Sequence, residues 1–362
     1  MNPREELAKA RRLVVKVGSR VLASDHELIP RLARELAAVM ASKRSVVLVS
    51  SGAIALGTQR LGYAGRPKET ARLQAAAAAG QSVLMRRYDE AFGLVGVTTA
   101  QVLLTHSDLA DRERMNNARE ALAALLEAGA IPIVNENDTV SVEELHFGDN
   151  DQLAAMVAPL VGADLLVLLT DVEGVLDTNG SRISVMADGD IIGTVEGTGE
   201  RVGTGGIQSK IEAARKGCRA GADVVIAAAG RPGALGDILA GADIGTFFPA
   251  IGAPLRARQS WIAFTLRPQG TIVLDAGAVA AVRSGKASLL PVGVLGVRGE
   301  FSVGDAVRLV GPDGNEVGRG LSRLGALDAS RAAGKKGALL ESVLGVGRGE
   351  LVVVHKDDLV LT

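Results

Sequence analysis

The feature that most constrains this chain is a repeated alternation in its first two thirds. Short runs of β-branched and aliphatic residues, Leu13–Val17, Ser45–Ser50, Val97–Leu104, Ile131–Asn135, Asp164–Thr170 and Ala222–Ala228, are separated by stretches with helical periodicity. Those stretches are Pro30–Ala41, Thr70–Phe92, Arg114–Ala128, Asn150–Leu160 and Ile207–Ala220. The runs are apolar on both faces, which predicts strands covered on both sides. Strands alternating with helices predict an α/β three-layer sandwich around a mainly parallel sheet.

The pattern changes after about Gly252. From Gly270 the chain shows short apolar runs, frequent glycine and turn pairs such as Pro312-Asp313-Gly314, with helical periodicity only at Gly277–Ser284. This predicts a small β-rich domain. The stretch Pro249–Gln259, with two prolines and two arginines, marks the change. The expected division is a large domain at 1–258, a linker at 259–269 and a small domain at 270–355. A chain of 362 residues agrees with two cores rather than one.

Composition removes several classes of function. Aromatics are only 2%, too few for the stacking platforms of single-strand binders, and a net charge of −1 gives no field to gather nucleic acid or acidic lipid. One cysteine, Cys218, cannot form an internal disulfide, Met1–Arg12 lacks the apolar stretch of a secretion signal, and no uncharged run is long enough to span a bilayer. A cytoplasmic protein is expected.

Four places carry chemistry. In Val14-Val15-Lys16-Val17-Gly18-Ser19 a lysine interrupts an apolar strand, where burial is costly unless the ammonium meets an anion; a solvated lysine on an edge strand is the plainer reading. Ser50-Ser51-Gly52 ends the second strand at a helix start, suited to an anion or to simple capping. Asn135-Glu136-Asn137-Asp138 and Asp149-Asn150-Asp151 follow a strand and open a helix, where open α/β sheets bind ligands. Amides and carboxylates together suit a zwitterion, although a polar loop with Asp149 as helix cap would share the pattern. Asp149 and Asp151 could also hold a divalent cation, without the ligand run of a calcium loop. Finally, Thr170-Asp171 ends a strand, and Gly203-Thr204-Gly205-Gly206-Ile207-Gln208-Ser209-Lys210 is a glycine-rich entry to a helix, suited to polyphosphate or to a plain surface loop.

The common nucleotide fingerprints are missing. Gly285-Lys286 is the nearest approach to a P-loop, with Ala280 and Ala287 in the places of the first glycine and the hydroxyl, and no Gly-x-Gly-x-x-Gly follows the first strand. None of His26, His106, His146 and His355 lies in a glycine-rich turn. Phosphoryl transfer to a carboxylate needs no general base, because the acceptor is already ionised at neutral pH. Two lysines, glycine-rich N–H cradles and Mg²⁺ suffice for such a reaction.

In order, VVKVGS, VSSGAIALG, DRERMNNAR, VNENDTV, FGDND, LLTDVEGV and GTGGIQSK resemble the amino acid kinase family across residues 10–260. GTIVLDAGAVAAV, SLLPVGV and FSVGDAV resemble a PUA domain, which implies a small β-rich PUA-like barrel. The combination of NEND and GDND is most similar to members that phosphorylate the γ-carboxylate of glutamate, the first step of proline biosynthesis. The resemblance implies that Lys16 and Lys210 contact the ATP phosphates, with Asp151 orienting both. It implies that Ser51, Asp138, Asn150 and Asn135 hold glutamate. It assigns Thr170, Asp171, Thr204, Gly205, Gly206, Ile207, Gln208, Ser209 and Lys210, with Lys16, to ATP. Mg²⁺ as cofactor, proline as feedback inhibitor, a glutamyl phosphate reductase downstream and a homo-oligomer are further expectations. Arg20 departs from the family pattern, which has a small hydroxyl residue there. A kinase for another amino acid carboxylate is one competing function and RNA binding by the tail is another, yet residues 263–362 hold 12 Lys/Arg against 10 Asp/Glu and only two aromatics, Phe264 and Phe301.

Overall fold

The structure is a computed structural model and describes residues 3–141, 150–187, 206–251, 257–336, 338–344 and 351–361. The chain divides into two compact units, Met1–Pro254 and Leu255–Thr362.

The first unit opens with a 3-10 turn, Pro3–Lys9, and continues through β1 (Arg12–Val17), α1 (Ser19–Ser24), α2 (Leu28–Ala41), β2 (Ser45–Val49), α3 (Ala53–Arg60) and α4 (Thr70–Gly93). Then come β3 (Thr99–Leu104), α5 (His106–Ala110), α6 (Arg112–Glu127), β4 (Ile131–Glu136), α7 (Asn150–Val161), β5 (Leu165–Thr170), α8 (Ile207–Arg219), β6 (Asp223–Ala228), α9 (Ala234–Leu239) and β7 (Thr246–Phe248). Their sheet has the order β3-β4-β2-β1-β5-β6-β7, parallel throughout except for the β6–β7 pair.

Because strand side chains alternate, each strand feeds two cores. Leu13, Val15 and Val17 of β1 join Leu48, Ile133 and Leu165 against Leu32 and Leu36 of α2 and Leu84 and Phe92 of α4. Val14 joins Val47, Val49, Val134, Leu166 and Leu168 against Leu153 and Val157 of α7 and Ile211 of α8. This is the three-layer α/β sandwich. Each fully buried aliphatic side chain contributes about 1.5–3 kcal/mol of transfer free energy, so both faces stabilise the sheet.

Two features differ from the sequence expectation. β3 lies on the sheet edge and is half-exposed along most of its length, so its aliphatic run is not covered on both faces. β7 is only three residues long and antiparallel, too short to give a periodic signal.

α3 and α4 cross with their backbones touching. A Cβ placed on Gly57 would lie 1.7 Å from the Ala76 carbonyl oxygen, and one on Gly80 would lie 1.7 Å from that of Ala53. Glycine is required at both positions because side-chain atoms cannot enter that space. The contact fixes α4 against the start of α3, next to the turn at Gly52, whose φ of 103° is left-handed.

The second unit contains α10 (Ala257–Ser260), a π-helical turn (Trp261–Thr265), β8 (Gly270–Leu274), α11 (Ala276–Arg283), β9 (Val294–Gly299), β10 (Ala306–Val310) and β11 (Glu316–Ser322). α12 (Ala326–Ala332), α13 (Ala338–Leu344) and β12 (Val354–Leu361) complete it. Its five-stranded sheet has the order β12-β11-β10-β8-β9, with the β8–β10 pair parallel and the others antiparallel. Ile272, Leu274, Val307, Leu309, Val353 and Leu359 form its core. It holds more helix than its sequence pattern suggested, because α12 and α13 are only seven residues each and carry little periodic signal. In the stretch read as a linker, Trp261, Ile262 and Ala263 are buried in the helical segment 257–265.

Candidate active site

Strand parity decides which side chains meet. Lys16 shares the face of Val14 and therefore points toward α7 and α8. β1 is the central strand, so this lysine is 4% exposed rather than solvated on an edge. Its Nζ lies 2.6 Å from Oδ1 of Asp151, in the first turn of α7. Lys210, in the first turns of α8, approaches the same carboxylate from its other side, with Nζ 2.8 Å from Oδ2. Asp151 is fully buried. Two ammonium groups thus converge on one carboxylate in a place with little access to water. A cluster of buried ammonium groups favours the approach of an anion.

Gly18 lies beside this clamp: a Cβ placed on it would come within 3.7 Å of the Lys16 Nζ. β1 connects toward β2 on one side while β5 leads to β6 on the other, so the clamp lies at the point where the strand order reverses, the ligand-binding crevice of open α/β sheets. Thr170 closes β5 here and is buried; its Oγ1 donates to Asp171 Oδ1 at 2.9 Å. Burial acts to raise the Asp171 pKa, but the Thr170 hydroxyl, its own backbone N–H, Arg20 and Lys210 together hold it below the usual carboxylate range. Arg20 Nη1 is 3.1 Å from Asp171 Oδ2, and both side chains are well exposed. Arg20 thus links the first turn of α1 to Asp171, just past the end of β5.

Of the glycine-rich segment, Gly206 precedes α8, Ile207 and Gln208 are exposed, and Ser209 is half-buried. Thr204 and Gly205 lie outside the described residues, as does Asp149. Gln152, which the sequence reading passed over, links the two helices: its Nε2 donates to the Ser209 carbonyl at 3.3 Å, and its Oε1 accepts from Lys216.

A second cluster adjoins the first through α7, whose Asn150 precedes Asp151. Asn150 Nδ2 donates to Asn135 Oδ1 at 2.8 Å, to Ser51 Oγ at 2.9 Å and to the Ser50 carbonyl. Asn135 and Asn150 are buried and Ser51 is half-buried. Asp138 is half-buried in the turn after β4; burial pushes its carboxyl up to about 6, against the pull of Arg66. Glu136 is pushed up to about 7 by burial and by Asp138, opposed by a hydrogen bond from Ser141. Raised carboxyls of this kind release protons when a cation binds, as an ammonium group would. The site therefore brings together Lys16, Lys210 and Asp151 in one group and Ser51, Asn135 and Asn150 in another, with Asp138 two residues past β4.

No group of three or more His, Cys, Asp or Glu side chains among the described residues could cage a metal ion. Asp151 is engaged by two lysines and Asp171 by Arg20. Among the described residues the donor set does not fit a protein-held Mg²⁺, an ion that is commonly carried by substrate phosphates; Asp149 lies outside them.

Comparison with known proteins agrees with this geometry. The profile of the Amino acid kinase family matches residues 11–228, and that of the PUA domain matches 270–344. Glutamate 5-kinase of Cupriavidus metallidurans is 45% identical over 368 residues, covering 98% of this chain and 99% of the relative. Glutamate 5-kinases of Burkholderia ambifaria and Trichlorobacter lovleyi are each 44% identical over 371 residues, covering 99% and 98% of this chain and 100% and 98% of the relatives. No helix among the described residues is long and apolar enough to cross a membrane. By family profile, by identity over nearly its whole length and by the two-lysine clamp at the sheet's switch point, the chain belongs to the amino acid kinase family, with a PUA domain following the kinase domain.

Proposed function

We propose that this chain transfers the γ-phosphoryl group of ATP to the γ-carboxylate of L-glutamate, giving L-glutamyl 5-phosphate and ADP, the entry step of proline biosynthesis. The observation that carries the reading is the convergence of the buried Lys16 and Lys210 ammonium groups on Asp151. A carboxylate oxygen attacks the γ-phosphorus while the bond to the ADP oxygen breaks, and no proton has to move because the acceptor is ionised. Lys16 and Lys210 neutralise the charge on the transferred group, and Asp151 keeps both ammonium groups aimed at it. Ser51, Asn135 and Asn150 bind the acid's carboxylates, and Asp138 binds its ammonium. Thr170, Asp171 and the segment 204–210 line the nucleotide. Mg²⁺, bound to the ATP phosphates, supplies further charge neutralisation.

Support for glutamate comes from the named relatives and from the pairing of amides with raised carboxyls, which suits a zwitterion carrying a second carboxylate. The reading puts the enzyme in the cytoplasm. It makes proline a feedback inhibitor, a glutamyl phosphate reductase the consumer of the labile acyl phosphate, and a homo-oligomer the working form. RNA is a poor ligand for the second unit's groove, which is lined by Glu300, Asp305 and Asp328 and would repel a phosphate backbone.

The test is trapping of the acyl phosphate with hydroxylamine in the presence of ATP and Mg²⁺, with glutamate, aspartate and acetylglutamate compared. Hydroxamate formation selective for glutamate is expected. Equal or greater turnover of another acid would overturn the substrate assignment.

A further inference from the structure

Helix α4 reaches into the acid-binding cluster from the face opposite the lysines. Asn135 shares strand parity with Ile133, and Ser50, just past β2, shares it with Leu48, so both lie on the α4 face of the sheet, and Asn135, at the strand end, also reaches the start of α7. Two residues of α4 meet them. Gln81 Oε1 accepts from Asn135 Nδ2 at 2.8 Å, and the Tyr88 hydroxyl lies 2.8 Å from Ser50 Oγ. Gln81 is 9% exposed and Tyr88 is fully buried. Gln81 and Tyr88 are two helical turns apart, on one face. The preceding residue, Gly80, is the one pressed against Ala53 of α3, so the backbone carrying Gln81 is registered to the turn that carries Ser51 and Gly52.

An amide can present either end to its neighbours, and the neighbours decide which. Asn135 Oδ1 accepts from Asn150 Nδ2 at 2.8 Å and from the Glu136 backbone N–H at 2.9 Å. Its Nδ2 must then face Gln81, and the Gln81 oxygen is the acceptor that makes this orientation favourable. Asn150 in turn donates to Ser51 Oγ, so the Ser51 hydroxyl hydrogen is directed away from Asn150. The chain fans out from Asn150: its amide donates to Ser51 on one side and to Asn135 on the other, and Asn135 passes the polarity on by donating to Gln81. The other end of the Gln81 amide, Nε2, is buried with no hydrogen-bond partner among the described residues. Buried donors left unsatisfied are uncommon and concentrate at functional sites.

We propose that Gln81 is a positioning residue for the acceptor acid: its amide oxygen sets the orientation of Asn135 and, through it, of Asn150, whose amide is spent on protein acceptors, so that the second Asn135 N–H and the Ser51 hydroxyl are left to face the substrate carboxylate. The inference rests on the glutamate kinase reading above. It adds a residue that touches neither the lysine clamp nor the nucleotide segment, on a helix whose sequence shows only Ala-rich helix propensity.

The test is a double-mutant cycle on glutamate binding in the full chain. Gln81→Met keeps size and removes both polar ends. The glutamate KM should rise about tenfold, the factor that corresponds to one lost hydrogen bond in a buried network. The ATP KM should stay within about twofold and kcat within about threefold, since transition-state contacts are untouched. Combined with Asn135→Ala, Gln81→Met should add less than about twofold to the glutamate KM, because both substitutions break the same chain. Gln81→Ser, which leaves room for water, carries the same expectations should Gln81→Met fold poorly. An unchanged glutamate KM in the single variant, or effects that multiply in the double variant, would overturn the proposal. Failure of the parent enzyme to form hydroxamate from glutamate would instead count against the kinase reading, so the two failures are separable.

Discussion

Replacing Asp151 with asparagine keeps the size of the side chain and removes the charge that holds Lys16 and Lys210 together. Asp151 is fully buried, and the two ammonium groups lie 2.6 and 2.8 Å from its oxygens. Breaking a buried ion pair by removing one partner costs about 3–5 kcal/mol, because the remaining charge is left in a poor solvent. Here the one carboxylate serves two ammonium groups, and the same range is expected. The first unit, Met1–Pro254, should unfold with an entropy of about 0.5 kcal/mol per kelvin, which converts the loss to a fall of about 6–9 °C in its melting temperature. Calorimetry or circular dichroism reads this directly. Inorganic phosphate should stabilise the variant more than the parent, since it restores a negative charge beside the lysines. Turnover should fall by roughly 10²–10³, the scale on which preorganised charges act. A variant that melts within about 1 °C of the parent would refute the reasoning, since it would mean that the clamp carries no net electrostatic weight.

Two further outcomes follow from other parts of the molecule. Gly80→Ala forces a methyl group into the space occupied by the Ala53 carbonyl, so α3 and α4 must separate; denaturant unfolding should show a loss of about 3 kcal/mol or more, at or above the upper end for overpacked cores, and a loss under about 0.5 kcal/mol would contradict the close crossing. The Asp138 carboxyl, at about 6, holds the substrate's ammonium when ionised, and the charge of Glu136 beside it, at about 7, adds to the field, so affinity is complete only well above pH 7 and is lost as pH falls through 7 and then 6. The glutamate KM should rise below pH 7 with a slope approaching about tenfold per pH unit for each group once pH lies below its pKa, and a flat KM between pH 5.5 and 8 would remove these groups from the binding site.

Much of this was legible in the sequence, for identifiable reasons. A lysine in a run as apolar as Val14–Val17 has few places to go, so Lys16 declared itself by its context, and Asp151 and Lys210 by their place at helix starts after strand ends. Pairing was another matter. That Lys16 and Lys210 share one carboxylate depends on β1 lying centrally between β2 and β5, an order set by packing across the whole sheet. Gln81 and Tyr88 were hidden because their partners, Asn135 and Ser50, are distant in sequence and on another layer, and because a helix rich in alanine explains itself without a functional role. The signal that could have found Gln81 is its polarity on a helix face otherwise occupied by Leu84, Tyr88 and Ala77, all buried. β3 was read as covered because its aliphatic residues match those of interior strands, and only the sheet order reveals that it is an edge.

The decisive measurement is the kinetics of Lys210→Ala, read as glutamate-dependent acyl phosphate formation at saturating ATP. If the ammonium at this position neutralises the group in flight, kcat falls by roughly 10²–10³ while the glutamate KM stays within about threefold. A kcat equal to that of the parent, or a loss confined to glutamate affinity, would contradict the role given to the lysines.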